Sequence, residues 1–418
     1  MKHTIAIIGT GIIGMWTAYE AQRQGHHVIL IEAGSAGGEQ AASFGNAAWI
    51  FEGSVLPIST PGLWREIPSY LIDPLGPFSI KLKYLLKLAP WLIQFVRAGN
   101  SIEKIETCAL ARIALLKDSL FHYRELARDL GLDRFVRQDG LVFVYPNRAE
   151  FENESLGTRL RKAYGLHWEE WDQAELHANE PELGHDYTFG TFHPYGGHLS
   201  DPGRFIALAV QEMINRGARL VSAEATGFAV EQQRLSGVHT THGTIACDRA
   251  IICAGIHGKA LAHQTGDHIP LESERGYHLV LNDLERMGRS PLMPSDGKMG
   301  VTMTDSGLRI AGQVELAGVS EPPDWRRTDI LREYLGRLLP RTKDYLGKTT
   351  RWMGHRPSTP DGLPCLGPAT QCKDIFHGYG HGHSGIGMAP ASARLLLSLA
   401  TCQAPPFNAS PYRAERFQ

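Results

Sequence analysis

The chain has 418 residues, with 42 lysines and arginines against 44 aspartates and glutamates, so its net charge is −2. That length allows two intertwined domains with a sizeable core, and the balanced charge gives no electrostatic reason to expect nucleic acid as a partner. Among the cysteines Cys108, Cys247, Cys253, Cys365, Cys372 and Cys402 no CxxC pair occurs; this argues against zinc, an iron–sulfur cluster or a disulfide framework and points to a reducing cytoplasm.

Residues 4–8 form an apolar strand that runs into Gly9-Thr10-Gly11-Ile12-Ile13-Gly14, then a helix ending near Gly25 and a second strand, Val28 to Ile31, that closes on Glu32. Gly9 allows a tight turn, Gly11 lets the backbone approach a pyrophosphate, and Gly14 lets the helix pack closely on the sheet. The helix start offers free N–H groups and a positive dipole end to phosphates. Glu32 stands where a carboxylate accepts hydrogen bonds from an adenosine ribose and repels a 2′-phosphate. Strand, glycines, helix and acid in this order predict a dinucleotide site, with FAD and NAD both open. The apolar strand starts so early that no signal peptide is expected.

The small-residue loop from Ala33 to Gly38, and the stretch Ala41 to Trp49 with Ser43, Asn46 and Ala47, suit a backbone passing a flat ring and suit a plain connection equally well. Pro61, Pro68, Pro74 and Pro77 then punctuate short segments. Residues 78–97 read as a strongly apolar helix pair edged by Lys81, Lys83, Lys87 and Arg97, with Trp91 inside. The run is too short and too charged to span a bilayer. Two readings stand: a peripheral membrane contact, or a helix pair packed on its own protein. From Glu103 to Leu130 apolar residues recur at helical spacing up to Gly131, which predicts one long amphipathic helix. A strand over 141–145, a helix over 149–164, and strands and turns over 188–199 follow.

At Asp201-Pro202 the chain is expected to rejoin the first domain, with a helix over 204–216, a strand at Leu220-Val221 and a hairpin over 228–230 and 238–241. The apolar strand at 250–253 ends in Ala254-Gly255, as expected where a buried strand tip approaches a ligand. Segments 269–282 and 299–313 read as strands, and 324–339 as a helix. Near the end, Gly378 to Gly385, including Gly382, His383, Ser384 and Gly385, opens a helix over 388–399, a second site where a helix start meets an anion. His377, His381 and His383 lack a cysteine or carboxylate cluster to complete a ligand set, so no metal is expected.

The N-terminal fingerprint, Ser43 to Ala48, Pro77 to Phe95, Glu274-Arg275-Gly276-Tyr277, Arg309 to Gly318, Arg356-Pro357 to Asp361-Gly362 and Gly380 to Gly385 together resemble the flavoprotein superfamily of D-amino acid oxidase, glycine oxidase and sarcosine oxidase, and above all the D-amino acid dehydrogenases. The resemblance implies an α/β fold: a FAD-binding Rossmann-like domain of the glutathione-reductase type, discontinuous over 1–61, 200–265 and 345–418, and a mixed-sheet α+β substrate domain over 62–199 and 266–344. It implies FAD rather than NAD, held by Gly9, Gly11, Ile12, Ile13, Gly14, Glu32 and Ala33 at the nucleotide half. Ser43, Asn46 and Ala47 would border the flavin, Ala254 and Gly255 would line its path, and Gly382, His383, Ser384 and Gly385 would cap its pyrimidine end. Gly354 stands where sarcosine oxidases carry the cysteine that attaches the flavin, so FAD is expected to be non-covalent.

By the same resemblance Arg356 clamps the carboxylate of a small amino acid substrate, Tyr277 is an assisting hydroxyl or a core tyrosine, and Arg275 is an ion-pair partner. Hydride would pass from Cα to N5 of FAD and on to a quinone or another electron acceptor, on the cytoplasmic inner face of the membrane if 78–97 makes contact there. A secondary-amine (sarcosine- or hydroxyproline-type) oxidase or dehydrogenase, a glycine oxidase-like enzyme, an opine-type dehydrogenase subunit and a flavin-binding sensor or scaffold are the alternatives.

Overall fold

Strand Thr4–Ile8 sits inside a six-stranded sheet ordered 219–222, 27–32, 4–8, 249–252, 375–379, 365–368, in a computed structural model that describes residues 2–65, 67–72, 76–285 and 287–418. Pro74 lies outside the described residues. All neighbours are parallel except the last pair. Parallel strands are covered on both faces, which is why 5–8 and 28–31 read as unbroken apolar runs rather than alternating ones. Helices Ile12–Arg23, Pro202–Asn215 and Gly385–Ala400 cover one face. A three-stranded antiparallel meander over 225–246 covers the other.

A nine-stranded mixed sheet forms the second layer system, ordered 349–358, 272–281, 307–316, 300–304, 292–294, 141–145, 189–193, 169–171, with 78–80 added in parallel to 307–316. Helix Arg326–Leu338 packs Leu331, Leu335 and Leu338 on it. Strand Thr349–Ser358 falls within the stretch that the sequence assigns to the nucleotide domain, yet it pairs along its whole length with Glu272–Leu281.

Three expected elements differ. The long helix over 103–130 is two, Ile102–Leu116 and Ser119–Leu130, because Asp118 between them takes φ 57°, a left-handed turn that no helix continues through. The stretch 149–164 likewise divides into Arg148–Asn153 and Ser155–Ala163. Residues 78–97 are no helix pair: strand Phe78–Ile80 and a turn over 82–84 precede one helix, Leu85–Ala98, which buries Leu88, Trp91 and Phe95 against Ile80 and Leu316. Among the described residues no helix is long and apolar enough to cross a membrane.

Candidate active site

The parallel strands end on one edge of the six-stranded sheet, and a cleft of about 1170 Å³ runs across those ends. Gly9 has φ 97°, and a Cβ there would stand 2.6 Å from the Cys253 carbonyl oxygen; one on Gly14 would stand 1.9 Å from that of Gly9. These two glycines close strand, turn and helix on one another. Gly11 differs: a Cβ would meet nothing nearer than 3.8 Å, and the residue lines the cleft.

Helix Ile12–Arg23 has no side-chain N-cap, and the Ile12 N–H reaches only the Ser43 hydroxyl at 3.4 Å. Its first N–H groups therefore serve the cleft, the arrangement that binds phosphate. Glu32 is fixed at the end of its strand: one carboxylate oxygen accepts the N–H and the hydroxyl of Thr10, both at 2.7 Å, and the other accepts the Gly34 N–H at 3.0 Å. Open space at Gly11, an uncapped helix start and a fixed carboxylate fit the adenosine diphosphate half of a dinucleotide.

The nine-stranded sheet walls the other end. Strands 272–281 and 349–358 pair antiparallel with Glu274 opposite Arg356 and Gly276 opposite Gly354. Alternation sets Glu272, Glu274, Gly276 and His278 on the same face as Arg356. Arg356 lays its guanidinium over Gly276, where a Cβ would come within 2.2 Å of it. It donates to the carbonyls of Gln313 at 2.9 Å and Gly312 at 3.4 Å. The next strand bulges there: Arg275 pairs with Glu315 and Tyr277 with Gly312, while Gln313 takes φ 61°. Burial draws the Arg356 pKa down to about 10 against the opposing pull of Glu274, so it stays cationic at neutral pH.

Glu274 is buried and accepts a hydrogen bond from His383 Nε2 at 2.6 Å. Burial alone would raise its carboxyl, but His383, then Ser358 and Arg356, hold it below the ordinary carboxylate range. The Tyr84 hydroxyl lies 3.2 and 3.1 Å from the two Glu272 oxygens. Burial and that carboxylate push Tyr84 up to about 12, so it remains a phenol. His355 and His381 also line the cleft, and burial pushes them down to about 4 and about 3, leaving both neutral at pH 7.

One cleft thus brings together Gly9, Gly11, Ile12, Ile13, Glu32, Ala33, Ser43, Asn46, Ala254, Gly255, Gly382, Gly385 and Arg356 from the residues read in the sequence. Five others stand off it. Gly14 lies beneath the helix against Gly9, and Ala47 turns its Cβ toward Gly300. The Ser384 hydroxyl accepts from Arg112. His383, bonded to Glu274, lines a separate small cavity beside Arg112. Tyr277 is corrected most clearly: with Arg275 it occupies the opposite face of its strand, donates to buried Glu315 at 2.7 Å, accepts the Asp324 N–H at 3.0 Å and packs in the core with Leu279 and Leu331. Arg275 is the ion-pair partner, 3.3 Å from Glu315.

Tyr84, Glu272, His355 and Lys259 line the cleft without having been singled out. A signal existed for one: in Glu272-Ser-Glu-Arg-Gly-Tyr277 the acids and Arg275 are one residue out of phase, so a strand must set them on opposite faces. Tyr84 had none, since only the pairing of 78–80 with 314–316 carries it to the wall.

The FAD dependent oxidoreductase family model matches residues 4–399. A D-amino-acid oxidase of Bradyrhizobium diazoefficiens is 42% identical over 99% of this chain and 98% of its own. A D-amino acid dehydrogenase 2 of Ralstonia nicotianae is 28% identical over 99% and 100%. Among solved structures, L-proline dehydrogenase from P. horikoshii superposes with a TM-score of 0.76 at 19% identity, covering 100% of this chain and 98% of that one. Glycine oxidase from Bacillus cereus gives 0.73 at 18% identity, covering 97% and 96%. At such identities the likeness shows the fold.

Proposed function

We propose, for a chain that belongs to the FAD dependent oxidoreductase family, that it oxidises D-amino acids, or close relatives, to the imine and so to the 2-oxo acid. One observation carries this reading: a guanidinium, held flat by two bulge carbonyls, forms the wall of the cleft that begins at the nucleotide cradle. Each terminal nitrogen of Arg356 keeps an N–H beyond those it spends on Gln313 and Gly312, a fork that matches a carboxylate. FAD, when bound, supplies the two-electron acceptor for the hydride leaving Cα. As the Cα–H bond breaks, the amine lone pair forms the C=N bond and a proton leaves nitrogen. Water then adds to the imine, and ammonia departs to leave the 2-oxo acid.

The chain's part is to hold and orient. Arg356 takes the α-carboxylate, fixing where Cα lies, and Tyr84 is the phenol on that wall, the place first given to Tyr277. Neutral His355 and His381 add no charge against a substrate amine. Gly382, in the turn 382–384, and Gly385, the first residue of helix Gly385–Ala400, both line the cleft, which supports their capping role. Gly354 offers no nucleophile, and the Trp352 ring lies 2.0 Å from where its Cβ would stand, which supports non-covalent FAD.

Two electrons and two protons then pass to a quinone, giving the quinol, or to another carrier; relatives named D-amino acid dehydrogenase support this. The 42% identical relative named an oxidase favours a second reading, oxygen reduced to hydrogen peroxide. Helix Leu85–Ala98 exposes Leu86 and Ile93 beside Lys83, Lys87 and Arg97. That face supports peripheral contact with the inner face of a cell membrane from a cytoplasmic position. Trp91, buried and donating to the Ser358 carbonyl, belongs to the core instead.

The test mixes the flavin-loaded protein anaerobically with D- and L-amino acids and reads flavin absorbance. Bleaching by D-amino acids with release of 2-oxo acid is expected; none with any amino acid overturns the reading. Reoxidation by a soluble quinone against oxygen then identifies the acceptor.

A further inference from the structure

Beyond the carboxylate clamp, the cleft wall carries an anion of its own. Glu272 is 7% exposed and lines the cleft. One of its oxygens accepts the Ser273 N–H at 2.9 Å and both lie near the Tyr84 hydroxyl, which has a single proton to give. Burial raises the Glu272 carboxyl, and against it act the Ser273 N–H, Tyr84 and the charge of Lys259, whose ammonium donates to the Leu271 carbonyl at 3.0 Å and makes no ion pair with Glu272 among the described residues. Glu274, the acid between Glu272 and Gly276, is closed off by His383 at 2.6 Å. Glu272 is therefore the carboxylate on this wall with acceptor capacity left for a ligand.

Its position decides which part of a ligand it meets. The Arg356 guanidinium lies over Gly276, and from residue 272 to 276 a strand advances about 13 Å. The α-carboxylate and α-amine of an amino acid share one carbon, so a substrate clamped by Arg356 keeps its amine near that clamp. What reaches toward Glu272 is the far end of a side chain. We propose that Glu272, steadied by Tyr84, is a subsite for a cationic side-chain terminus, and that the preferred substrates are amino acids with a basic side chain of lysine or arginine length. The inference rests on Arg356 holding the α-carboxylate.

The test compares D-lysine with D-norleucine, which differ by the terminal ammonium, in wild type and Glu272→Gln. The ratio of kcat/KM for lysine over norleucine is expected to exceed one in wild type and to fall about 10- to 100-fold in the variant, the scale of one lost charged hydrogen bond. A second readout needs no turnover: 6-aminohexanoate, which lacks an α-amine, should perturb the flavin spectrum and raise the melting temperature more than hexanoate does, and Glu272→Gln should erase that difference. Tyr84→Phe, which keeps the carboxylate, should reduce the lysine preference less and serves if Glu272→Gln fails to fold. An unchanged ratio together with equal binding of the two hexanoates overturns the subsite. If no amino acid bleaches the flavin while 6-aminohexanoate still binds in a Glu272-dependent way, the subsite stands and the proposed reaction falls.

Discussion

At the glycine end of the cleft the backbone does the recognising, and nearly all of it comes from residues 9–14 and 32. At the Arg356 end side chains do it, and they come from residues 84, 272 and 356, on three separate strands or turns. A backbone cradle can be written in one short stretch, because its geometry depends on where a Cβ is missing. A side-chain wall depends on register, and its partners lie up to 272 positions apart in sequence between Tyr84 and Arg356 (356 − 84). The first should therefore fail through single glycines, the second through anything that moves one strand against another.

The sharpest break is expected within the cradle. Gly11→Val should give folded protein without FAD, because its side chain enters open cleft, whereas Gly14→Val should not fold, because a Cβ meets the Gly9 carbonyl at 1.9 Å. Circular dichroism with flavin content separates the two; equal flavin loading in Gly11→Val and wild type would move the nucleotide site elsewhere.

Acid should act through buried histidines on both sides of the cleft, His381 beside the nucleotide sheet and His193, His278 and His355 on the nine-stranded sheet. Burial pushes His193 and His278, both on strands of the nine-stranded sheet, down to about 3, well below the ordinary 6.5. The unfolded chain binds those protons below pH 6.5 and the folded chain does not, so stability falls as pH drops from 6.5 toward 3. Each buried histidine removes up to about 1.4 kcal/mol per pH unit in that window. By contrast Asp267, bonded to His377 beneath the nucleotide sheet, is held at about 2, so its contribution is lost only in stronger acid. Urea midpoints should start to fall near pH 6.5; a flat profile down to pH 5 would contradict this account.

Arg356→Ala should keep FAD and lose about 3 kcal/mol of transition-state binding, on the order of a hundredfold in kcat/KM, with Arg356→Lys recovering only part because an ammonium lacks the fork. Gly276→Ala is the subtler form of the same injury. Its methyl would occupy the place of the guanidinium, 2.2 Å away, and should displace Arg356 for about a tenfold rise in KM with flavin content unchanged. Wild-type KM in Gly276→Ala would show that the guanidinium does not need to lie where it does.

How much of this could be read beforehand follows the same division. Strand Thr4–Ile8, the three glycines and Glu32 were legible because turn, cradle and acid lie within one unit of the fold. Arg356 was legible only through family resemblance; nothing local marks an arginine before a proline as a clamp. The break at Asp118 was invisible because apolar spacing stays in phase on both sides of it, and left-handed backbone at an aspartate leaves no pattern. The helix pair expected over 78–97 failed because Phe78–Ile80 is claimed by a strand over two hundred residues away, a tertiary preference that local composition does not contain.

The smallest expected effect on catalysis is the most exacting test of the wall. Tyr277 and Tyr84 are both tyrosines bonded to a buried glutamate, Glu315 and Glu272 respectively, yet only the second faces the cleft. Tyr277→Phe removes a hydroxyl that satisfies Glu315 and the Asp324 N–H, so it should cost about 1–3 kcal/mol of stability. Because that hydroxyl lies on the core side of the strand, kcat/KM should stay within about twofold of wild type. Tyr84→Phe should show the reverse, a smaller loss of stability and a larger change in substrate KM, because Tyr84 is partly exposed on the cleft side and Glu272 keeps the Ser273 N–H when the hydroxyl is gone. Melting temperature and KM measured on the two variants side by side decide it: a catalytic loss in Tyr277→Phe larger than that in Tyr84→Phe would mean that the strand presents its other face to the substrate.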